Sequence, residues 1–324
     1  MTATIAAVAI GRNEGDRLIR CLTTLKDQLD RIVYVDSGSS DGSVQAARDL
    51  GVEVVELDTS VPFTAARARN AGFEALKPGG LPDFVQFVDG DCGVEPGWIA
   101  AGLSEFEGQE ELGIVTGWRS EIHPDVSIYN VLADFEWHRP AGEIAACGGD
   151  MMVRCDVFDA VGGFNPTVVA AEDDEFCTRI RKSGRRIIRL PQPMTRHDAA
   201  MTRFSQWWQR AVRSGHGFAQ VGDLHPDYFV KERRRVILYG GALPTIALLS
   251  LVFTAPLYLI GVLAVYALSY LRTVRGLQRE GLGRSMALRQ AVYLSISKFP
   301  NLIGMARYHL RKIRGSAMRI IEYK

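Results

Sequence analysis

Residues 31–43 read Arg-Ile-Val-Tyr-Val-Asp-Ser-Gly-Ser-Ser-Asp-Gly-Ser, an apolar run that ends in a turn rich in glycine and serine. The run predicts a buried strand over 31–35, and the turn leads into a predicted helix over 43–50. Similar units surround it, with strands predicted over 5–10, 52–57 and 84–88 and helices over 17–29 and 63–76. Strands that alternate with helices predict an α/β fold with a doubly wound, mostly parallel sheet.

The same type of pattern continues towards residue 190. Strands are predicted over 113–122, 150–154 and 186–190, with a helix over 172–183 before the last of them. In a sheet of this kind, ligands bind beyond the carboxyl ends of the strands. We therefore expect functional side chains directly after residues 10, 35 and 88.

The charge of the chain is divided unevenly along its length. Residues 231–324 contain 16 Lys or Arg and three acids, whereas residues 1–230 contain 22 Lys or Arg and 34 acids. Such asymmetry is typical of a soluble part joined to a part that binds a membrane or a nucleic acid. We predict a catalytic domain over 1–230 and a membrane-associated helical region over 231–324.

Residues 236–271 lack any charged side chain. One helix of that length would measure about 54 Å, which exceeds the bilayer's hydrocarbon core of about 30 Å. The run therefore predicts a hairpin of two helices that breaks at Thr254-Ala255-Pro256, with basic residues on both flanks held on the cytoplasmic side. A full crossing and a re-entrant hairpin both fit this pattern, and a buried helical pair in a soluble core is the less favoured alternative.

Residues 286–310 mix apolar positions with Arg289, Lys298 and Arg307, which predicts an interfacial amphipathic helix. The basic residues of the tail are expected to meet anionic lipid headgroups: Arg307, Arg311, Lys312, Arg314 and Arg319. Nucleic acid is not expected as a partner, because these charges flank a membrane-type run and accompany no groove-reading motif.

Two carboxylates, Asp89 and Asp91, follow the predicted strand 84–88 with one glycine between them. Hard oxygen ligands in this arrangement suit Mg²⁺ or Mn²⁺ bound together with a diphosphate. The Asp-x-Asp pattern by itself is also typical of an ordinary acidic turn. Its weight comes from the other motifs along the chain.

These motifs together resemble the nucleotide-sugar site of the family 2 glycosyltransferases, which have the GT-A fold. The similar segments occur in the family's order over about residues 5–220: Asn13-Glu14, Val35-Asp36-Ser37-Gly38-Ser39-Ser40-Asp41-Gly42, Ala66–Gly72, Asp89-Gly90-Asp91, Gly148–Met151, Gly162–Asn165 and Glu172-Asp173. The resemblance implies an inverting, metal-dependent transfer of a sugar from a nucleotide diphosphate sugar, most simply a UDP-sugar.

The resemblance also implies roles for single residues. Asp173 would be the catalytic base, and Asp91 would bind Mn²⁺ or Mg²⁺ together with His197, which could equally be a structural hydrogen bonder. The nucleotide sugar would contact Glu14, Asp36, Arg69 and Asp89, although Glu14 is as well suited to capping the first helix. The acceptor side would include Gly149, Asp150 and Glu172.

Trp207 and Trp208 could stack on an acceptor sugar or lie at the membrane interface. The Gln-x-x-Arg-Trp motif of processive synthases is absent around Gln206–Arg210, which favours a single transfer over a processive polysaccharide synthase subunit. The expected acceptor is a polyprenyl-diphosphate-linked saccharide in exopolysaccharide or cell-surface glycan synthesis. The alternatives from other classes are a nucleotidyltransferase and a non-catalytic membrane scaffold.

Five scattered cysteines and an N-terminus without a basic leader favour a reducing compartment. We therefore expect the protein at a bacterial inner membrane, with its catalytic domain facing the cytoplasm.

Overall fold

The computed structural model describes residues 3–316, 318, 320 and 321. These residues form two compact units, Met1–Ala200 and Met201–Lys324. The charge composition changes near residue 231, but helix α8 (Phe204–Leu224) already belongs to the second unit because it packs against helices that come later in the chain.

Within the described residues, the first unit has nine strands and seven α-helices. The strands are β1 (Ile5–Gly11), β2 (Ile32–Asp36), β3 (Glu53–Glu56), β4 (Phe84–Asp89), β5 (Cys92–Val94), β6 (Leu112–Glu121), β7 (Gly142–Glu143), β8 (Met151–Arg154) and β9 (Arg186–His197). The helices are α1 (Asp16–Lys26), α2 (Ser43–Asp49), α3 (Ala65–Ala75), α4 (Trp98–Phe106), α5 (Ile128–Trp137), α6 (Cys155–Ala160) and α7 (Glu172–Lys182).

The strands form one sheet in the order β3-β2-β1-β4-β8-β6-β9-β5, with β7 added to β9. The α/β fold class is confirmed, and β1 to β4 pair in parallel as the alternating pattern predicts. The far half is mixed, because β8 runs antiparallel to both β4 and β6. This reversal matters for the site: Met151 at the start of β8 pairs with Phe87 near the end of β4, so the loop before β8 reaches the edge where β4 ends.

Strand β9 extends to His197, past Pro191 and Pro193 and beyond the predicted end at Leu190. Its register against β6 shifts in the region of Pro193, where a proline cannot donate to the ladder. Because β6 and β9 are parallel, their carboxyl ends meet, and His197 pairs with Glu121.

Both faces of the sheet are covered, as a buried parallel sheet requires. Side chains alternate between faces along β1, so that Val8 packs in one apolar cluster while Ala7 and Ala9 pack in the other. Helix α1 covers the second face with Leu18, Leu22 and Leu25, whose spacing of three and four residues defines one helical stripe.

The second unit is helical in its described residues. After α8 come α9 (Val230–Arg235), a π-helical stretch (Val236–Ala242), α10 (Leu243–Val252), α11 (Pro256–Arg279), α12 (Arg284–Ile296) and α13 (Lys298–Ile313). The continuous helix Val230–Val252 and the helix Pro256–Arg279 are both long and apolar enough to cross a membrane, and they break where predicted. Their most apolar stretches are only 22% and 11% buried, unlike core helices of a soluble protein.

The prediction of one helix over 286–310 is wrong, because a turn at Ser297 divides this region into two helices, α12 and α13. Helix α13 packs on α8 through glycines: a Cβ on Gly215 would lie 2.5 Å from Asn301 Cα, and one on Gly304 would lie 2.7 Å from His216 N. The apolar positions Ile303 and Leu310 remain exposed on the other side of α13. Of the predicted basic tail, Arg319 lies outside the described residues.

Candidate active site

The ends of β2, β1 and β4 bring two predicted site residues to one edge of the sheet. In the ladder, Gly11 pairs with Asp36 and Ile10 pairs with Asp89, so the two aspartates flank the end of β1. This edge is the carboxyl end of the parallel strands, where ligands of such sheets bind.

Asp36 is 2% exposed, and its carboxylate organises the turn that follows β2. One oxygen accepts hydrogen bonds from the Tyr34 hydroxyl, at 2.8 Å, and from the Ser39 hydroxyl, while the other accepts from the backbone N–H groups of Gly38 and Ser39. Asn13 Oδ1 accepts from Ser40 N at 2.7 Å and ties the β1 loop to this turn. The nucleotide contact predicted for Asp36 stays a prediction, since the turn already uses much of its acceptor capacity.

Glu14 does not cap α1 with its side chain, because the residue at the helix start is Gly15 and no side-chain cap is formed there. Its carboxylate pairs with Arg17 at 2.8 Å. The structure therefore excludes side-chain capping of α1 as the role of Glu14. The nucleotide contact stays a prediction.

Arg69 lies at the centre of the site and is 2% exposed. Its guanidinium donates to Asp89 at 2.7 Å and to Glu172 at 3.0 Å, which joins α3, β4 and α7. Burial by itself would lower the pKa of Arg69, but the two carboxylates outweigh it and raise that pKa above its usual value.

Two glycines permit close packing around this part of the site. A Cβ on Gly72, one turn further along α3, would lie 3.0 Å from Val35 Cγ2 and 3.1 Å from Val8 Cγ2, so its absence lets the helix pack closely on the sheet. A Cβ on Gly149 would lie 2.7 Å from Arg69 Cζ and closer still to Nη2. Gly149, predicted on the acceptor side, thus forms the surface against which the guanidinium packs.

A second arginine, Arg119 on β6, connects Asp89 to Asp150. Its Nη2 lies 2.6 Å from Asp150 Oδ2 and 3.4 Å from Asp89 Oδ2. Asp150 is 1% exposed and also accepts from Asp89 N and from the Thr195 hydroxyl. The structure therefore places Asp150 beneath Asp89 as a positioning residue, and its predicted contact with an acceptor does not follow from this geometry.

The ionisation of Asp89 follows from the same contacts. Burial would raise its pKa, but the guanidinium groups of Arg69 and Arg119 hold that pKa below its usual range. Asp89 therefore remains a carboxylate across physiological pH.

Asp91 and His197 converge although they are far apart in sequence. Asp91 Oδ2 and His197 Nε2 lie 3.2 Å apart, and both residues are about 5–6% exposed. Neighbouring ligands of an octahedral Mg²⁺ at about 2.1 Å are about 3.0 Å apart, so this pair fits two adjacent positions of such an ion. His197 Nδ1, which is buried and makes no hydrogen bond, lies 3.9 Å from Glu121 Oε2.

Cys92 is the third member of this group, within 4.8 Å of the other ligand atoms. Burial and the nearby Asp150 raise the pKa of its thiol, which keeps it protonated. A neutral thiol is a poor ligand for a hard cation such as Mg²⁺ or Mn²⁺. The residues present thus fit a divalent cation bound by Asp91 and His197.

Asp173 lies in the first turn of α7, and Ala171 in front of that helix has a left-handed φ of 59°. Burial, Glu172 and Asp174 together raise the pKa of Asp173 well above its usual value. A Cβ on Gly148 would lie 3.9 Å from Asp173 Oδ2 and 3.9 Å from Arg119 Nη2, so the carboxylate and the guanidinium face the same glycine. A half-buried carboxylate of raised pKa has the chemistry of a general base.

The other acids of this helix have structural partners. Glu175 holds Arg179 at 2.8 Å, while Glu172 pairs with Arg69. Among the described residues, Asp173, the position predicted for the base, forms no ion pair with an arginine within 4 Å, and the nearby charge of Arg69 only partly offsets the rise in its pKa.

Trp207 and Trp208 belong to α8 in the second unit. Trp207 is 4% exposed and packs edge-on against Tyr293, with ring centroids 5.3 Å apart. Its buried ring is occupied by packing, which disfavours the predicted stacking on a sugar. Trp208 is half-buried beside Phe204.

Sequence reasoning missed Arg119, Glu121 and Trp137. The Trp137 ring lies 4.6 Å edge-on from His197, and Arg119 lies over the same ring at 5.4 Å. Strand alternation places Arg119 and Glu121 on one face of β6, and this is the available signal. No spacing in the sequence pairs Arg119 with Asp89 and Asp150, 30 and 31 positions away, or Glu121 with His197, 76 positions away.

Two family models and a curated relative match the sequence. The family described as "Glycosyl transferase family 2" matches residues 8–160, and "N-terminal domain of galactosyltransferase" matches residues 127–203. The pre-mycofactocin glycosyltransferase of Mycobacterium tuberculosis is 27% identical over 257 residues, covering 74% of this chain and 51% of the relative. The chain spans about half the length of the curated relatives it matches.

Solved structures share the fold. A mannosyltransferase from Pyrobaculum calidifontis, in complex with GDP-Man and Mn²⁺, has a TM-score of 0.58 at 18% identity and covers 96% of this chain and 88% of its own. Glucosyl-3-phosphoglycerate synthase from M. tuberculosis, in complex with Mn²⁺ and UDP, has a TM-score of 0.50 at 17% identity and covers 68% and 80%. Residues 8–160 therefore form a family 2 glycosyltransferase domain, and the first unit has the GT-A fold.

Proposed function

We propose that the protein transfers a single sugar from a nucleotide diphosphate sugar to an acceptor at a membrane, in a metal-dependent reaction with inversion. The observation that carries the proposal is the convergence of Asp91 and His197 at 3.2 Å beside the network of Asp89, Arg69 and Arg119. Carboxylate, imidazole and guanidinium groups at the carboxyl edge of the sheet suit a diphosphate and its cation.

Asp91 and His197 would hold Mn²⁺ or Mg²⁺, which when bound neutralises negative charge on the leaving diphosphate. The two guanidinium groups support this task from the protein. Arg69 and Arg119 remain cationic and are fixed by Asp89, Glu172 and Asp150, so their charge is already positioned before a donor arrives.

Asp173 would accept the proton of the acceptor hydroxyl. The hydroxyl oxygen then forms a bond to the anomeric carbon while the bond from that carbon to the diphosphate oxygen breaks, and the electron pair leaves with the nucleoside diphosphate. A single displacement of this kind inverts the anomeric centre. The raised pKa of Asp173 supports the role, because a stronger base takes the proton more readily at neutral pH.

Membrane association is supported by the two mostly exposed apolar helices and by the basic residues at their ends. The acceptor we propose is a polyprenyl-diphosphate-linked saccharide in exopolysaccharide or cell-surface glycan synthesis. The proposed location is a bacterial inner membrane with the first unit facing the cytoplasm. The donor we propose to test first is a UDP-sugar.

The test is a panel of UDP- and GDP-sugars incubated with the full chain in native membranes and Mn²⁺. Release of nucleoside diphosphate would support the proposal. Release of sugar 1-phosphate, with the nucleoside monophosphate transferred to another acceptor such as added diphosphate, would instead identify a nucleotidyltransferase, and absence of any turnover with every donor would favour a scaffold.

Two variants assign the roles. Asp91→Ala should abolish Mn²⁺-dependent donor binding in calorimetry, and unchanged Mn²⁺ affinity would contradict the metal assignment. Asp173→Asn should retain donor and Mn²⁺ binding but lose transfer, and normal turnover would show that the base lies elsewhere.

Stability provides the control for Asp173→Asn. Because the folded state raises the pKa of Asp173, stability falls as the pH rises from the ordinary carboxyl pKa to the raised one, and above the raised pKa the full cost is present. The neutral amide removes this cost. The variant should therefore unfold at the same temperature as the parent protein or higher, so that lost activity cannot be attributed to misfolding.

A further inference from the structure

We propose that the apolar hairpin of the second unit enters one leaflet of a bilayer and returns, without crossing to the far side. This inference rests on the membrane association in the proposed function. The first arm of the hairpin is the helix Val230–Val252, and the second arm is the helix Pro256–Arg279. The proposal concerns the end of the hairpin, beyond the part of each arm that α12 or α13 covers. We call that end, residues 243–265, the free tip.

Contacts on both arms show where packing against α12 and α13 ends. The arms meet there, because the Tyr266 hydroxyl on the second arm donates to Tyr239 O on the first. Helix α13 begins at the same level, since a Cβ on Gly240 would lie 3.0 Å from the backbone carbon of Lys298 and 3.3 Å from Leu302 Cβ.

The second arm is covered up to a similar level by α12. The chain turns back after α11, and the Tyr270 hydroxyl donates to Leu288 O at 3.0 Å, so α12 returns along α11 towards the tip. Helices α12 and α13 thus form a collar around the base of the hairpin.

The free tip is too short to cross a bilayer. Helix α10 has 10 residues, Leu243–Val252, which span about 15 Å against a hydrocarbon core of about 30 Å. The stretch of α11 up to residue 265 has a similar length. The tip therefore matches the thickness of one leaflet.

The collar carries charge where a crossing hairpin would need apolar groups. Arg289 is exposed next to Leu288, and Lys298 begins α13 beside Gly240. If the end of the tip reached the far headgroups, both residues would lie near the middle of the bilayer, where Lys and Arg are among the most costly side chains. With the tip in one leaflet, the same residues lie at headgroup level.

The surface of the tip is suited to hydrocarbon. Phe253, Leu257 and Tyr258 are 71%, 81% and 68% exposed. The backbone N–H groups of the turn have partners inside the hairpin, because Phe253 N donates to Leu249 O and Ala255 N donates to Ser250 O. Satisfied backbone donors are what a segment surrounded by lipid requires.

The experiment measures how deep the tip lies. The five native cysteines are all buried, so a cysteine introduced by Phe253→Cys can be labelled selectively with an environment-sensitive fluorophore. Leu288→Cys, on the collar, is the matched control. Each labelled full-length protein is added to preformed vesicles of phosphatidylcholine and phosphatidylglycerol in equal parts, which contain nitroxide lipids labelled near the headgroup or near the chain end.

We expect chain-end nitroxide to quench the label at residue 253 more than headgroup nitroxide does. The label at residue 288 should show the opposite preference. Neither label should respond to an ionic quencher trapped inside the vesicles. Quenching of the label at residue 253 by the trapped quencher would overturn the proposal in favour of a crossing hairpin. Failure of the protein to float with vesicles would refute the membrane association itself. Protection of the tip in a dimer without lipid would identify a second copy as the occupant and overturn the proposal.

Discussion

The packing of Arg69 on Gly149 makes one methyl group a sensitive probe of the site. In Gly149→Ala, the new Cβ would lie 2.7 Å from Arg69 Cζ, whereas carbon atoms in contact are normally about 3.5–4.0 Å apart. The guanidinium must therefore retreat by about 1 Å. A shift of that size disrupts the 2.7 Å contact with Asp89.

The expected cost combines overpacking with the weakening of a partly buried ion pair. Overpacking a rigid site costs about 1–3 kcal/mol, and breaking a fully buried pair completely would cost about 3–5 kcal/mol. The side chain of Asp89 is 31% exposed and Arg69 keeps its contact with Glu172 at 3.0 Å, so only a small part of the second cost applies, and we expect a total of about 2–3 kcal/mol. For a domain of this size, that lowers the melting temperature by about 5–10 °C.

Gly148→Ala is the matched control, because its Cβ would meet its nearest neighbours at 3.9 Å, an ordinary contact. Its melting temperature should change little, or rise, since alanine restricts the unfolded chain. Calorimetry of both variants measures the difference. Equal melting temperatures for Gly149→Ala and Gly148→Ala would refute the argument.

A double-mutant cycle identifies the cause. Arg69→Lys replaces the planar guanidinium with a slimmer ammonium, so Gly149→Ala should cost less than about 1 kcal/mol in that background. If the cost is unchanged, the strain arises from the backbone of residue 149 and not from Arg69.

Three further outcomes follow from the structure. Because the base must be ionised, transfer should fall as the pH drops through the raised pKa of Asp173. Asp174→Asn removes one of the charges that raise this pKa, so the fall in transfer should move to lower pH. An unchanged pH–rate profile in this variant would contradict the coupling between the two carboxylates. His197→Ala should weaken Mn²⁺ binding in calorimetry by more than about tenfold, since even residues behind a ligand often contribute that much, and parental affinity would remove His197 from the cation site. Gly304→Ala should speed amide exchange along α13 because its Cβ meets the backbone of α8, whereas Gly276→Ala, with open space around it, should not; equal exchange in both would argue against close helix packing.

Part of the site could be predicted because the chemistry is carried by residues next to strand ends. Asp36 follows an apolar run, and Asp89 and Asp91 follow another, so the parallel sheet places them at one edge. Arg69 and Asp173 were identified by resemblance to a family, and their pairing partners became known only from the fold.

The rest of the site depends on contacts between residues that no local pattern connects. Arg119 lies on an ordinary strand and gains its importance from Asp89 and Asp150, which the antiparallel β8 brings next to it. Trp137 ends a helix with no motif and meets His197 only because β6 and β9 end together. The same holds for Trp207, whose burial against Tyr293 turns a predicted sugar contact into a packing residue.

By itself, the sequence determined the alternation of strands and helices, the acidic and basic halves, and the charge-free run that forms the hairpin. These features are local or additive, so periodicity and composition are sufficient to predict them. The tertiary structure alone decided that β8 runs antiparallel, that Asp150 is a buried support for Asp89, and that α12 and α13 surround the base of the hairpin. These outcomes depend on which distant surfaces fit together, and the close approach at Gly149 and Gly304 is visible only when both sides of the contact are present.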